Sequence, residues 1–343
     1  MPIRTALIGY GGAGSGLHAP LIAATAGLEL TTVVTSNADR AEGARRAHPG
    51  VRIETSADAL FERAGEHDLI VVATPNDSHA GLASRAIELG LATVVDKPLA
   101  PTAADAAAIV ERAERAGVPL SVFHNRRWDS EQLTLRRLID AGELGEVQTY
   151  ESHYERWRPR ARAGSWRQEQ PPELGGGLLL DLGTHLVDQA LLLFGPVSGV
   201  HGEVNHRRGG PADDDVFLAL EHESGVRSHL WASELIAAPG PRLRVLGSAA
   251  GFTVEGLDGQ EAAMRAGRRP DDGEPWGVEP QSRWGHLHRG EGESEPVRSE
   301  AGDWPRFYAP VPGWLEDGGP PPVDPRDAVA VLEILERARS GAG

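Results

Sequence analysis

Of the 34 basic side chains in this 343-residue chain, 33 are arginine and a single one, Lys97, is lysine. The two are not interchangeable: arginine is a permanently charged planar fork, whereas lysine is a compact donor whose pKa shifts when buried. An ammonium has been kept where a guanidinium does not serve. A second group with chemistry to offer is Asp181 with His185, in the run GGGLLLDLGTHLVDQ (175–189). On a helix these two lie four apart on one face, with Asp188 on the next turn. An acid, an imidazole and an ammonium suit oxidation of an alcohol, which needs a base for the hydroxyl proton and a cation beside the incipient alkoxide. The same pair is compatible with a metal site, for which the sequence shows no third ligand, or with a buried, mutually satisfied hydrogen bond.

These residues need elements to hold them. Over the first 120 residues, short aliphatic runs (3–8, 30–35, 69–73, 93–95, 120–123) alternate with Ala-rich helical segments such as 78–89 and 103–116. That alternation predicts βαβ units and a doubly wound parallel sheet buried on both faces. Lys97 then stands at the carboxyl end of a parallel strand, where open α/β sheets bind ligands. Thr74, Pro75, Asn76 and His79 follow another strand at the same edge, and Pro98 suggests a cis peptide after Lys97. After about residue 124 the rhythm changes. A helix (131–141) and a strand (147–154) lead to a long helix near 177–194. Strands at 200–206, 216–221, 226–233, 243–246 and 252–255 follow, with a final amphipathic helix at 327–338. Such segregation predicts an α+β domain with a largely antiparallel sheet. The expected division is 1–123 for dinucleotide binding and 124–343 for substrate binding and oligomerisation. The Gly/Pro/Glu/Arg-rich stretch 267–303 reads as an extended surface loop with room for a short strand.

The first strand runs into Gly9-Tyr10-Gly11-Gly12-Ala13-Gly14, a G-x-G-x-x-G pattern. Such a loop turns tightly, lets a pyrophosphate approach the backbone and opens a helix whose free N–H groups face the anion. Its place on the first strand of a βαβ series is the context that gives the motif meaning. An acid at the end of the second strand would read the ribose 2′-hydroxyl of NAD. Thr35 and Ser36 stand there instead, followed by Asn37 and Arg40. Ser36 and Asn37 can donate to a 2′-phosphate and Arg40 can pair with it, so NADP is favoured, with NAD as the alternative.

The formal net charge of -16 repels phosphate backbones and anionic lipid, which argues against nucleic-acid or membrane partners. The absence of cysteine excludes disulfides, thiolate metal sites and a cysteine nucleophile. No apolar run approaches the ~18 residues of a membrane span, and the start of the chain lacks the longer apolar stretch of a signal peptide. A cytoplasmic protein is the expectation.

Taken together, GYGGAG (9–14), ATPNDSH (73–79), DKP (96–98), HNRRWD (124–129) and GGGLLLDLGTHLVD (175–188) resemble the Gfo/Idh/MocA family across essentially the whole chain. The segments LHAPLI (17–22), YERWRP (154–159), SWR (165–167) and DQALLLFG (188–195) are most similar to its NADP-dependent scyllo-inositol dehydrogenase-like branch. The resemblance implies a Rossmann domain and an α+β domain whose open sheet forms a homodimer or homotetramer interface. It also implies oxidation of a secondary hydroxyl on a small polyol or sugar, without metal. Under that resemblance Lys97 would hydrogen-bond the reacting hydroxyl, His185 would be the general acid/base, and Asp181 would orient substrate or His185. Asn76, Asp96 and Lys97 would lie near the nicotinamide ribose. Two departures stand out. Asp96 replaces the family's common glutamate and reaches one methylene less, and Tyr154-Glu155 replaces a frequent Phe-Asp, which points to an altered substrate pocket.

Around this set, Arg156, Trp157, Arg158, Arg160 and Arg162 form a basic loop, mostly solvated, from which Trp166 and Arg167 are singled out as substrate contacts. Asp213–Asp215 reads as a charged strand approach rather than a metal site. Asn125, Arg127 and Trp128 have a structural job, and His153 and His201 are strand residues. The sequence therefore points to an NADP(H)-dependent oxidoreductase acting on an inositol or sugar. Two alternatives are a redox-neutral, NAD-dependent glycoside-cleaving enzyme and a non-catalytic NADP-sensing regulator.

Overall fold

The computed structural model describes residues 1–290 and 292–341. Its contacts divide the chain into two compact units. One is Met1–His124 with Glu261–Pro275 and Trp304–Val329; the other is Asn125–Gln260 with Trp276–Asp303 and the chain from Ala330 onward. The sequence reading drew one boundary at 123/124. The contacts add two later segments to the first unit.

In the first unit, β1 (Ile3–Ile8), β2 (Leu28–Val34), β3 (Arg52–Glu54), β4 (Leu69–Val72), β5 (Ala92–Asp96) and β6 (Leu120–Phe123) form a sheet in the order β3-β2-β1-β4-β5-β6. Every pairing is parallel. Every residue of β4, β5 and β6 is buried, as a sheet covered on both faces requires. Helix boundaries follow local chemistry. Thr102 caps helix Ala103–Ala116 by accepting from the Asp105 N–H, and Gly117 closes it at φ 63°, the left-handed end that glycine adopts without strain. Because strand order reverses between β1 and β4, the loops leaving these two strands flank the position where such sheets take their ligands.

The second unit holds β7 (Val147–Glu155), β8 (Val197–Asn205), β9 (Asp215–His222), β10 (Arg227–Ser233), β11 (Leu243–Gly247), β12 (Gly251–Val254), β13 (Gly285–Gly290) and β14 (Glu293–Val297). Their order is β14-β13-β12-β11-β7-β10-β9-β8. The pairings are antiparallel except for β7 with β10. The hairpin β13–β14 lies inside the stretch expected to be an extended loop, and it extends the sheet by two strands. Alternation along β7, β9 and β10 buries Tyr150, Tyr154, Leu218, Leu220 and Leu230 on one face. The other face is half-exposed and aromatic: Trp231 stacks on His153 at 4.2 Å between ring centroids, with Phe217 at 5.0 Å from Trp231. Among the described residues no helix is long and apolar enough to cross a membrane.

Beneath the buried face lies a polar core. Arg242, 2% exposed, donates to Glu131, Ser152, Tyr154 and Gln189. The Tyr154 hydroxyl, which a phenylalanine would lack, is one of its acceptors. This departure from the family pattern thus adds a bond to the buried network. Burial pushes the Tyr154 phenol up, with Arg126 and Arg242 opposing.

Candidate active site

In the first unit the glycine loop has the shape a pyrophosphate needs. Gly9 takes φ 98°, and a Cβ there would meet the Ala73 carbonyl oxygen at 2.5 Å, so the loops after β1 and β4 touch backbone to backbone. A Cβ on Gly14 would strike the Gly9 oxygen at 2.0 Å, which fixes helix against strand. Gly12 by contrast has nothing within 4 Å of its Cβ position, and Gly11 has only Arg40 Nη1, at 3.8 Å. The close approaches use up Gly9 and Gly14; the Cβ positions of Gly11 and Gly12 face open space but for Arg40, at the start of a helix, which fits an anion. The segment Gly14–His18 is a π turn rather than regular α-helix, a form that recurs at functional sites.

Ser36, Asn37 and Arg40 are exposed together after β2. Asn37 caps helix Ala38–Ala47, its Oδ1 accepting from the Arg40 N–H at 2.9 Å. Its side-chain amide is thereby held at the helix start, while the Arg40 guanidinium reaches toward Gly11, with Nη1 3.8 Å from that residue's Cβ position. After β4, the Thr74 hydroxyl accepts from Ser78 at 2.6 Å, Pro75 precedes the turn Asn76–Ser78, and Asn76 is buried. His79 is fully buried, with ring nitrogens 2.7 Å from the Pro98 carbonyl and 3.0 Å from that of Thr74. It straps the exits of β4 and β5 together. Burial holds its imidazole below the usual histidine range, against the two carbonyls and Asp96.

Lys97 follows β5 directly, and the Lys97–Pro98 peptide is cis. The Lys97 N–H donates to Asp96 Oδ1 at 2.9 Å. Burial alone would raise the Asp96 carboxyl. His18, with Lys97 and His79, reverses this and holds it below the usual carboxylate range. The shorter acid therefore caps its own lysine from within the loop.

In the second unit the helix expected from 177 begins as a π turn, Leu179–Gly183, and continues as α-helix Thr184–Phe194. Asp181 lies in the wide turn and His185 in the first turn of the α-helix. Carbonyls at the junction are taken by the Thr184 hydroxyl, which lies 3.1 Å from the Leu180 oxygen and 3.3 Å from that of Asp181. Trp166, Arg167 and Asp181 form one cluster. Arg167 Nε donates to Asp181 Oδ1 at 3.3 Å, and the guanidinium lies 4.4 Å from the centre of the Trp166 ring. His185 is buried, while Asp181 and Arg167 are half-exposed.

The glycines before this helix stand where neighbouring groups come too close for a side chain. A Cβ on Gly177 would lie 2.2 Å from Asp213 Oδ1, and one on Gly176 would lie 1.9 Å from the Gln170 oxygen. They admit the protein's own groups. Asp213 accepts from the Leu179 N–H at 2.6 Å and so caps the helix. Asp214 and Asp215 pair with Arg208 and Arg207. Asp188 takes a bidentate bond from Arg127, and Gln189 is gripped by Arg242 and the Arg126 carbonyl. Of the basic loop, Arg158 pairs with Glu234, while Trp157, Arg160 and Arg162 are exposed. Sequence reasoning missed the capping by Asp213 and the grip of Arg242. The DDD run was a signal for the first; nothing local marked the second. No cluster of three metal-ligating side chains occurs among the described residues.

With this geometry in place the comparisons with known proteins become informative. Residues 3–124 match the model of an oxidoreductase family with an NAD-binding Rossmann fold, and residues 132–253 match the GFO/IDH/MocA C-terminal domain. The chain belongs to the Gfo/Idh/MocA oxidoreductase family. Among Gfo/Idh/MocA relatives it is 39% identical to the uncharacterised oxidoreductase YdgJ of Escherichia coli, over 97% of this chain and 94% of the relative. It is 32% identical to the scyllo-inositol 2-dehydrogenase (NADP(+)) IolW of Bacillus subtilis, over 98% of this chain and 92% of that protein. The solved structure of yvaA from Bacillus subtilis superposes with a TM-score of 0.92 at 31% identity, covering 99% of this chain and 96% of that one.

Proposed function

We propose that this member of the family is an NADP(H)-dependent dehydrogenase of a secondary hydroxyl on an inositol or related sugar. The observation that carries the reading is the placement of the chain's one ammonium, Lys97, at the carboxyl end of β5. That end lies in the same sheet as the open glycine cradle after β1. The name of IolW, an NADP-dependent inositol dehydrogenase, supports the same substrate class. Bound at the cradle, the dinucleotide supplies a hydride acceptor. The protein's own groups do the rest. Gly11, Gly12 and Ala13 hold the pyrophosphate, with Thr74, Pro75, Asn76 and Asp96 toward the nicotinamide ribose. Lys97 hydrogen-bonds the reacting hydroxyl and stabilises negative charge on its oxygen, and His185 takes the proton. Asp181, held by Arg167, orients the substrate alongside Trp166. The half-exposed aromatic face of the second sheet is the surface through which we expect a second copy to pair.

The choice of NADP rests on Ser36, Asn37 and Arg40. A charge-assisted bond from Arg40 to a 2′-phosphate is worth roughly 1.5–3 kcal/mol, about one to two powers of ten in affinity. Arg40→Ser should therefore raise the KM for NADP by about 10- to 100-fold and leave that for NAD nearly unchanged. Initial rates at 340 nm with inositols, aldoses and uronates check both points. A wild-type enzyme that prefers NAD would overturn the cofactor choice.

A further inference from the structure

Tyr308 belongs to a segment, Trp304–Val329, that joins the first unit from far along the chain. Its side chain is fully buried, and its hydroxyl lies 2.6 Å from Nδ1 of His18, 290 residues away in sequence. His18 is itself fully buried, with its ring 4.2 Å from that of Phe123, which in turn packs edge-on against Phe307. The other imidazole nitrogen, Nε2, faces Asp96 Oδ1 at 3.8 Å. That same oxygen accepts the Lys97 N–H. Four residues from three distant stretches of sequence thus form one line ending at the lone lysine.

The direction of the bonds along this line is set by elimination. Burial, with Asp96 adding to it, raises the Tyr308 phenol well above its ordinary value, so the hydroxyl keeps its hydrogen. Among the described residues the only group recorded within bonding distance of that hydroxyl is His18 Nδ1. Were Nδ1 to carry the proton, the phenol hydrogen would be buried without an acceptor, which costs its full desolvation. The hydroxyl therefore donates to Nδ1 and the imidazole proton sits on Nε2, which has no hydrogen-bond acceptor among the described residues and faces the Asp96 carboxylate across 3.8 Å, a charge–dipole contact longer than a hydrogen bond. An apolar aromatic surround strengthens each of these interactions. The ionisable groups that act on Asp96 here are His18, Lys97 and His79.

We propose that Tyr308 and His18 are positioning residues for the redox site: the Tyr308 hydroxyl fixes the His18 tautomer, His18 holds the Asp96 carboxylate, and Asp96 holds the backbone of Lys97. The assignment rests on the dehydrogenase reading for its effect on turnover, and on geometry alone for the linkage itself. It gives the shortened acid a purpose, since an aspartate oxygen shared between His18 and the Lys97 N–H ties the lysine to a fixed imidazole.

Because the chain contains one lysine, protein labelled with [15N]lysine gives a single backbone amide signal, that of Lys97. In Tyr308→Phe, which keeps the ring and removes only the hydroxyl, this signal should move by about 0.3 ppm or more in the proton dimension as the bond to Asp96 loosens. Histidine-labelled protein, with His18 assigned through His18→Gln, should show the Nε2–H tautomer in the wild type and a mixture in Tyr308→Phe. With NADP and a turned-over polyol, kcat should fall by about tenfold while the KM for NADP stays within about threefold. An unmoved Lys97 amide, or a wild-type His18 protonated on Nδ1, overturns the linkage. An unchanged kcat beside a shifted amide overturns the positioning role. A wild-type protein that oxidises no polyol refutes the dehydrogenase reading and takes the effect on turnover with it, while the amide and tautomer signals still decide the linkage.

Discussion

Lys97→Met is expected to lower kcat/KM by about 10²- to 10⁴-fold while leaving NADP affinity within a few-fold of the wild type. Methionine keeps the length and apolar stem and removes only the ammonium, so the loss isolates charge and proton handling at the reacting oxygen. That range is what a positioned acid–base or electrostatic group contributes, about 3–5 kcal/mol of transition-state stabilisation. Lys97→Arg should not restore the rate, because the planar, permanently ionised fork cannot occupy a site shaped for a compact donor. The cofactor titration is the necessary companion, read from NADPH fluorescence. It separates loss of chemistry from loss of binding, since the Lys97 backbone lies beside Asp96 in a loop assigned to the ribose. Turnover of Lys97→Met within tenfold of wild type would remove the lysine from the reaction.

The second large effect is on stability. Arg242→Met should destabilise the second unit by several kcal/mol, because Glu131, Ser152, Tyr154 and Gln189 all lose their buried donor at once, at roughly 1–3 kcal/mol for each group left unsatisfied. The wild type carries a pH signature of the same cluster. Burial, with Asp129 adding to it and Arg242 opposing, lifts Glu131 to about 8. Burial and Asp129 also lift Asp258 to about 7. In both cases the folded form holds a proton that the unfolded chain has released. Their contribution is therefore complete below the ordinary carboxylate range and is lost as pH rises through about 7 to 8. Urea melts should show a lower midpoint at about pH 8.5 than at about pH 5. Arg242→Met should carry that decline to higher pH, since the cation opposing protonation of Glu131 is gone. A midpoint that climbs over the same interval would show that Glu131 is ionised in the folded state.

What could be read from the sequence was local. The strand–glycine–helix run at 3–14 carries its own geometry, because Gly9 and Gly14 are required by contacts within one βαβ unit and with the next strand. DKP was legible at the end of β5 for the same reason, and five of the six strands of the first sheet follow from short, mostly aliphatic runs, whereas β3 (Arg52-Ile53-Glu54) has none. The Asp181/His185 spacing assumes regular α-helix, and the structure winds Asp181 into a π turn instead. The rest depends on partners that no window contains. Tyr308 meets His18 across 290 residues, and Arg242 meets Glu131 across 111. A glycine does not say what approaches it, and at Gly177 it is Asp213. The π turn at 179–183 was invisible for a similar reason. Its sequence, LLDLG, has the pattern of an ordinary helix, and the wider winding accompanies the Asp213 cap and the Thr184 hydroxyl. The hairpin within 267–303 was obscured by composition, since β14 is charged and exposed as suits an edge strand.

The central claim is that a hydride leaves a secondary carbon of a polyol for the nicotinamide. Incubating the enzyme with NADP and inositol deuterated at its ring carbons, then weighing the recovered NADPH by mass spectrometry, tests it directly. One deuterium per NADPH, matched by one ketone per turnover, is the result expected here. Release of a sugar from a glycoside supplied in parallel, with no net NADPH formed from it and no label reaching the cofactor from the inositol, would point instead to the redox-neutral reaction, and binding of NADP without any turnover to a sensor; either would contradict the claim.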